Sequence, residues 1–373
     1  MTMDNGPQRA IAVDYTIRSA SREAAVRKAY GIALEQTVEL AHDHVSERIR
    51  RNWVGDVVRL EPDSEERWHC RILYNPELAG GELSQLLNTL FGNISLQDGI
   101  RLDAVHWPEE LLRQFGGPAH GISGMRARLC VPPSLPLTCT ALKPVGTAPH
   151  ELAELAYRFA LGGVDIVKDD HGIANQPCAP YRERLQACQE AVTRANALAD
   201  GRTLYFPNAT APPQRLADRL AAARDAGCFG VLLSPWICGL DSIRWARDEF
   251  GLAVMAHPAL TGACFRNSHG IAPDLLLGAL FRIAGADASI YPNVGGRFGF
   301  SLETCEAINQ RLREPLGGLR TALPTPGGGM SVGDAPDWIR RYGPDTMVLI
   351  GGSLYAQGDI TAATRHLLQA LGR

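Results

Sequence analysis

No stretch of the chain approaches the run of about 18 apolar residues that a membrane-spanning helix needs, so no such span is expected. No long Lys/Arg stripe is present either. With 37 basic residues against 40 acidic ones the net charge is −3, which gives no electrostatic footprint for nucleic acid. The opening MTMDNGPQRA lacks the apolar core of a secretory signal, and a cytoplasmic location is expected. There is no Cys-x-x-Cys pair. The nine cysteines are odd in number and scattered, which argues against a disulfide framework or a structural zinc site and leaves most of them as reduced apolar filler.

What is present is an ordinary globular composition, 45% apolar and 21% charged. At 373 residues the chain has room for two domains and a barrel-sized core. The first hundred or so residues read strand, helix, strand, strand, helix, strand. Ala10 to Ile17 is an apolar β-rich run, and Arg22 to Leu34 has helical spacing with Ser21 placed to cap it. Val57 to Leu60 and Trp68 to Tyr74 read as strands around the turn residues Pro62, Asp63 and Ser64. Gly81 to Leu90 follows as a short helix and Ile100 to Trp107 as a last strand, a ferredoxin-like order. Pro118–Gly124 and Pro132–Pro136 read as connectors.

Beyond them strands and helices alternate. Apolar runs at Leu137–Leu142, Val164–Val167, Leu204–Phe206, Gly230–Leu233, Leu252–Ala256, Ala288–Tyr291, Ala322–Leu323 and Met347–Ile350 are separated by helical stretches such as Glu151–Leu161, Tyr181–Leu198, Gln214–Ala226 and Ala272–Ile283. Eight such units fit a (β/α)8 barrel better than an open doubly wound sheet. The expected architecture is a ferredoxin-like α+β domain over 1–125 and a (β/α)8 TIM barrel over 126–373.

A barrel places its chemistry at the C-terminal ends of the strands. Lys143 ends the first, where it serves as a proton carrier, an anion holder or a solvated lysine. The second ends Lys168-Asp169-Asp170-His171; strand alternation sets Lys168 and Asp170 on one face and Asp169 on the other. That grouping suits a metal or proton-transfer site, and an internal salt bridge equally well. Asn208, His257 and Arg297 stand at later strand ends, each weak evidence alone. Gly327-Gly328-Gly329 and Gly351-Gly352 close the last two strands, where barrels often bind phosphate through backbone N–H groups.

Together these residues resemble the RuBisCO large-chain family, over nearly the whole chain. Gly162 to Asp170 is similar to that family's Gly-Gly-x-Asp-x-x-Lys-Asp-Asp-Glu, Lys143-Pro144 to its first-strand Lys-Pro, and Phe91-Gly92-Asn93 with Phe115 to Ile122 to the end of its N-terminal domain. The resemblance implies that Lys168 takes up CO2 as a carbamate and holds Mg2+ with Asp170. It implies further that Lys143 is the acid/base, that His257 contacts substrate, and that Arg297 falls near the mobile-loop lysine. It also makes the two glycine runs the phosphate clamp. Glu35 and Asn93 would complete the site of a partner in an antiparallel homodimer.

Several positions depart from the pattern. His171 replaces the third metal ligand, a Glu, and admits metals other than Mg2+ or a role as base. Val145, Pro258 and Gly327 stand where a lysine, an arginine and a serine are expected, and Glu35 to Glu39 lacks the Thr-Gly-Thr turn. These changes argue against carboxylation and for a RuBisCO-like protein, closest in look to the 5-methylthioribulose-1-phosphate isomerases. Such members share one step, in which a metal polarises a ketose carbonyl and a base takes the neighbouring proton to give a metal-bound enediolate. The rivals are a 2,3-diketo-5-methylthiopentyl-1-phosphate enolase, a 3-oxo-acid phosphate decarboxylase and a non-catalytic phosphate-binding member.

Overall fold

The computed structural model describes residues 10–266 and 269–373. Its strands are, in chain order, β1 (Ile11–Arg18), β2 (Asp56–Ser64), β3 (Arg67–Tyr74), β4 (Ile100–His106), β5 (Leu137–Leu142), β6 (Ile166–Asp169), β7 (Leu204–Phe206), β8 (Gly230–Leu233), β9 (Ala253–Ala256), β10 (Phe265–Arg266), β11 (His269–Ile271), β12 (Ala288–Pro292), β13 (Leu323–Gly327) and β14 (Met347–Leu349). The chain forms two compact units.

The first unit contains the residues up to Gly116 together with Leu260–Leu276 and Leu316–Leu319. Its sheet runs β10-β11-β4-β1-β3-β2, and the β4-β1-β3-β2 portion is the ferredoxin-like order. Alternation along β1 buries Val13, Tyr15 and Ile17 completely, and the Tyr15 hydroxyl donates to the carbonyl of Leu90 at 2.7 Å, tying the strand to the helix Leu83–Phe91. Helix Arg22–Glu35 starts where Ser21 was expected to cap it, the hydroxyl accepting from the Ala24 N–H. Two features were not anticipated. A helix spans Glu47–Trp53, and β11 adds to the sheet by parallel pairing with β4.

The second unit contains Gly117–Ala259, Leu277–Pro315 and Arg320–Arg373. Eight parallel strands lie in the order β7-β6-β5-β14-β13-β12-β9-β8. The ends meet through a parallel bridge between Asn208 and Leu232, with Leu232 N–H donating to Pro207 O (2.9 Å) and Ala209 N–H to Leu232 O (3.0 Å). The fold is thus a (β/α)8 barrel, as expected. Its core gathers Cys139, Ile166, Phe206, Leu232, Met255, Ile290, Leu323 and Met347.

One connector proves to be structure. Gly121–Leu129 is a helix whose Ile122, Met125 and Leu129 join that same core. Buried Asp287 caps its start, accepting from the N–H groups of His120 (2.8 Å) and Gly121 (2.7 Å). The boundary expected at 125/126 falls inside this helix. Strand β13 is also longer than expected, running through Pro324 and Pro326. It pairs with β12 along five residues and with β14 only at Gly327, so the missing proline N–H groups leave little of the ladder unmade.

Candidate active site

The pleat that fills the barrel also builds its mouth. Ile166 points into the core, so Lys168 two residues on continues the same face, and Asp170 follows it. In the same way Met255 on β9 leads to His257 just past the strand's end. The chemistry is therefore the core face of each strand carried past the last apolar layer.

Lys168 is 2% exposed, and its Nζ donates to the Asp169 carbonyl at 3.1 Å, its one hydrogen bond among the described residues. Burial lowers its pKa below the ordinary lysine value, and the charge of Lys143 pushes the same way against Cys139 and Asp170. Asp170 lies between three cationic or imidazole groups. Its Oδ1 is 3.4 Å from Lys143 Nζ and its Oδ2 is 3.6 Å from His171 Nδ1. Burial alone would raise this carboxyl. His171, Lys168 and Lys143 more than reverse that and hold it well below the usual carboxylate range.

His171 stacks on His257, with ring centroids 4.2 Å apart and planes 13° from parallel. The Nδ1 of His257 accepts the Ala259 N–H at 3.1 Å, which leaves the ring proton of the neutral form on Nε2. Burial, then the charges of Lys168 and His171, drive this imidazole well below its ordinary pKa. His257 is accordingly a neutral donor.

Other residues hold these in place. Asp169, on the opposite face, is fully buried. It accepts from Arg184 Nε (3.0 Å), Tyr205 Oη (2.7 Å) and the Asn208 N–H (2.9 Å), so the alternation expected for the two aspartates is observed. Asn208 is fully buried and donates from Nδ2 to the carbonyls of His171 (2.9 Å) and Ile173 (3.0 Å), fixing the loop after β6. The Tyr355 hydroxyl accepts the Lys143 N–H at 3.1 Å and donates to Ala141 O at 3.1 Å, anchoring the lysine to its strand; burial pushes this phenol up to about 12. Arg184, Tyr205 and Tyr355 carried no signal in the sequence, because their roles arise only once β6, β7 and the helix Gly352–Tyr355 come together.

The remaining expected site residues fall in three places. The would-be Cβ of Gly351 lies 4.0 Å from Lys143 Cε, which puts the last glycine pair beside the lysine. Gly328 (φ +74°) faces open space, whereas a Cβ on Gly329 (φ +94°) would meet Gly296 Cα at 2.5 Å. The glycines thus also let the loop after β13 pack backbone to backbone on the loop after β12. Arg297, on that second loop, is exposed, its guanidinium 5.6 Å from the Phe298 ring centroid. In the first unit, Asn93 Nδ2 donates to Glu35 Oε1 (3.0 Å) and Glu39 Oε1 (2.7 Å), so Glu39 joins the expected Glu35 and Asn93.

Among the described residues no three His, Cys, Asp or Glu side chains are grouped to hold a metal. The β6 end offers one carboxylate, one imidazole and one buried amine. The neutral amine is the form that adds CO2, burial of Lys168 shifts it toward that form, and the resulting carbamate would make a second anionic oxygen donor. With that addition the set fits a divalent cation; without it, it does not.

A family profile described as the ribulose bisphosphate carboxylase large chain, catalytic domain, matches residues 121–370. A 5-methylthioribulose-1-phosphate isomerase of Rhodospirillum rubrum is 42% identical, over 91% of this chain and 90% of the relative. The ribulose bisphosphate carboxylase-like protein 1 of Rhodopseudomonas palustris is 43% identical, over 94% of each chain. The crystal structure of a Rubisco-like protein from Rhodopseudomonas palustris superposes with a TM-score of 0.89 at 39% identity, covering 98% of both chains. The chain belongs to the RuBisCO large-chain family, among its RuBisCO-like proteins.

Proposed function

We propose that this protein is an enolising isomerase of a phosphorylated ketose, of the 5-methylthioribulose 1-phosphate kind, and not a carboxylase. The observation that carries the reading is the convergence of Lys143, Asp170, His171 and the neutral donor His257 around the buried amine of Lys168 at one barrel mouth. The isomerase among its relatives supports the substrate class.

In this reading Lys168 as its carbamate, Asp170 and His171 would hold Mg2+ or another divalent metal. When bound, the metal supplies the Lewis acid that polarises the ketose carbonyl. The chain's own groups do the rest. Lys143, positioned by Asp170 at 3.4 Å, acts in its neutral amine form: it takes the proton from the carbon beside the carbonyl and returns it to the former carbonyl carbon. His257 donates a hydrogen bond from its Nε2–H to a substrate oxygen, keeping the proton and so staying uncharged. Gly327, Gly328, Gly329, Gly351 and Gly352 present backbone N–H groups to the phosphate, with Arg297 as a further cation. Glu35 and Asn93 complete the site of a second copy in a homodimer.

The test is proton NMR in D2O of the full chain with 5-methylthioribulose 1-phosphate, Mg2+ and bicarbonate. A new pentulose phosphate carrying deuterium at the exchanged carbon is expected. No exchange and no product, with Mn2+ also tried, would refute the isomerase and move the decarboxylase and non-catalytic alternatives ahead.

A further inference from the structure

Outside the strand-end cluster, the second unit has a pocket of about 320 Å3 whose walls include Tyr181, Arg182, Glu183, Arg215, Asp218 and Arg219. Arg219 is only 8% exposed. Among the described residues its side chain makes one hydrogen bond, from Nη1 to the Thr210 carbonyl at 2.5 Å, and pairs with no carboxylate; its backbone carbonyl accepts from the Tyr181 hydroxyl at 2.9 Å. Its guanidinium carbon lies 5.2 Å from the Tyr181 ring centroid.

Arg184, whose guanidinium carbon lies 5.6 Å from the centroid of that ring, shows what a satisfied buried arginine looks like. It is paired with Asp169 and donates to the carbonyls of Ala174 (2.9 Å) and Ala179 (2.7 Å). Arg219 has no such set, and a buried, uncompensated cation is expensive. Arg182 and Arg215 are exposed and, among the described residues, make no ion pair. Glu183 and Asp218 line the pocket too, but neither is within ion-pair distance of a described cation. Three guanidinium groups against two carboxylates leave the pocket net positive, with its deepest cation held still by a carbonyl and a ring face. Guanidinium forks match the oxygens of a tetrahedral oxyanion.

We propose that this pocket is a second anion site that takes a phosphate-class dianion, either inorganic phosphate or a phosphate monoester. The test is phenylglyoxal labelling of the full chain, read arginine by arginine by peptide mass spectrometry, so that the outcome does not depend on turnover. With phosphate at about ten times its dissociation constant, labelling of Arg182 and Arg215 should fall about tenfold relative to the exposed Arg202. Glycerol 1-phosphate in place of phosphate identifies the source: protection by it alone assigns the monoester, and protection by inorganic phosphate assigns the free anion.

Arg219→Met should abolish the protection. Should that variant fail to fold, Arg215→Ala, at an exposed position, should abolish the protection of Arg182. A Gly328→Asp variant blocks phosphate at the barrel mouth and should leave the protection intact. Unchanged labelling with both probes, or protection lost in Gly328→Asp, would overturn the proposal.

Discussion

Asp169 and Asp170 are chain neighbours with identical side chains, and the pleat of β6 gives them opposite surroundings. Asp169 and Arg184 are both fully buried, and the carboxylate also binds Tyr205 and the Asn208 N–H. Asp169→Asn would leave the arginine's charge buried without compensation, a loss of about 3–5 kcal/mol. Urea unfolding should show that shift for Asp169→Asn and a much smaller one for Asp170→Asn, whereas deuterium exchange into substrate should be lost in the second. Equal shifts would mean that Asp170 is structural as well. Lys168 allows a sharper separation. Its amine is desolvated and makes one hydrogen bond, so Lys168→Met removes an unfavourable burial while keeping the length of the chain. The expected result is no turnover together with an unchanged or raised Tm. A fall of several degrees would show that the fold needs the amine.

At the scale of elements, the loops after β12 and β13 meet through glycine, and their glycines differ in what a methyl group would encounter. On Gly329 it would strike Gly296 Cα at 2.5 Å and also meet a left-handed φ; on Gly328 it would meet open space at a left-handed φ, costing about 1–2 kcal/mol. On Gly352 nothing lies within 4 Å and the backbone is not left-handed. Alanine scanning should therefore raise KM for the phosphorylated substrate in the order Gly329, Gly328, Gly352, and Tm should fall in the same order. A flat series would remove these loops from the site. The same scale shows what the sequence could convey. Strands such as Ala253–Ala256 and Leu204–Phe206 were legible because a parallel strand buried on both faces is a continuous apolar run. Strand β13 was cut short because Pro324 and Pro326 interrupt such a run, and helix Gly121–Leu129 was missed because its two glycines and two arginines mask its buried face. The mouth residues Lys168, Asp170 and His257 were legible as strand ends. Their supports Arg184, Tyr205 and Tyr355 were not, since contacts spanning 15 to 214 residues leave no local pattern.

For the whole molecule, the question is whether one chain suffices. Glu35, Glu39 and Asn93 form a polar knot in the first unit: one amide donates to two carboxylates, while Gln36 beside it is buried and tied to Asn88 O, Thr89 O and the Ile94 N–H. The buried glutamine fixes the turn, so the acidic pair is held in place rather than merely solvated. In the dimer reading this knot serves the barrel of the other copy, and two separate defects must then complement each other. Lys168→Ala breaks only its own barrel, and Asn93→Ala breaks only what it lends to its partner. After co-expression, half of the dimers would be mixed and each mixed dimer would hold one intact site, so about a quarter of wild-type exchange activity should return from two inactive parents. The readout is deuterium incorporation per chain of the co-expressed mixture, and the mixed dimer isolated through two different affinity tags should show about half of wild-type activity. Recovery near that level requires a site shared between copies. If the mixed dimer forms and remains inactive, each chain must build its site alone, with Asn93 acting only within its own chain.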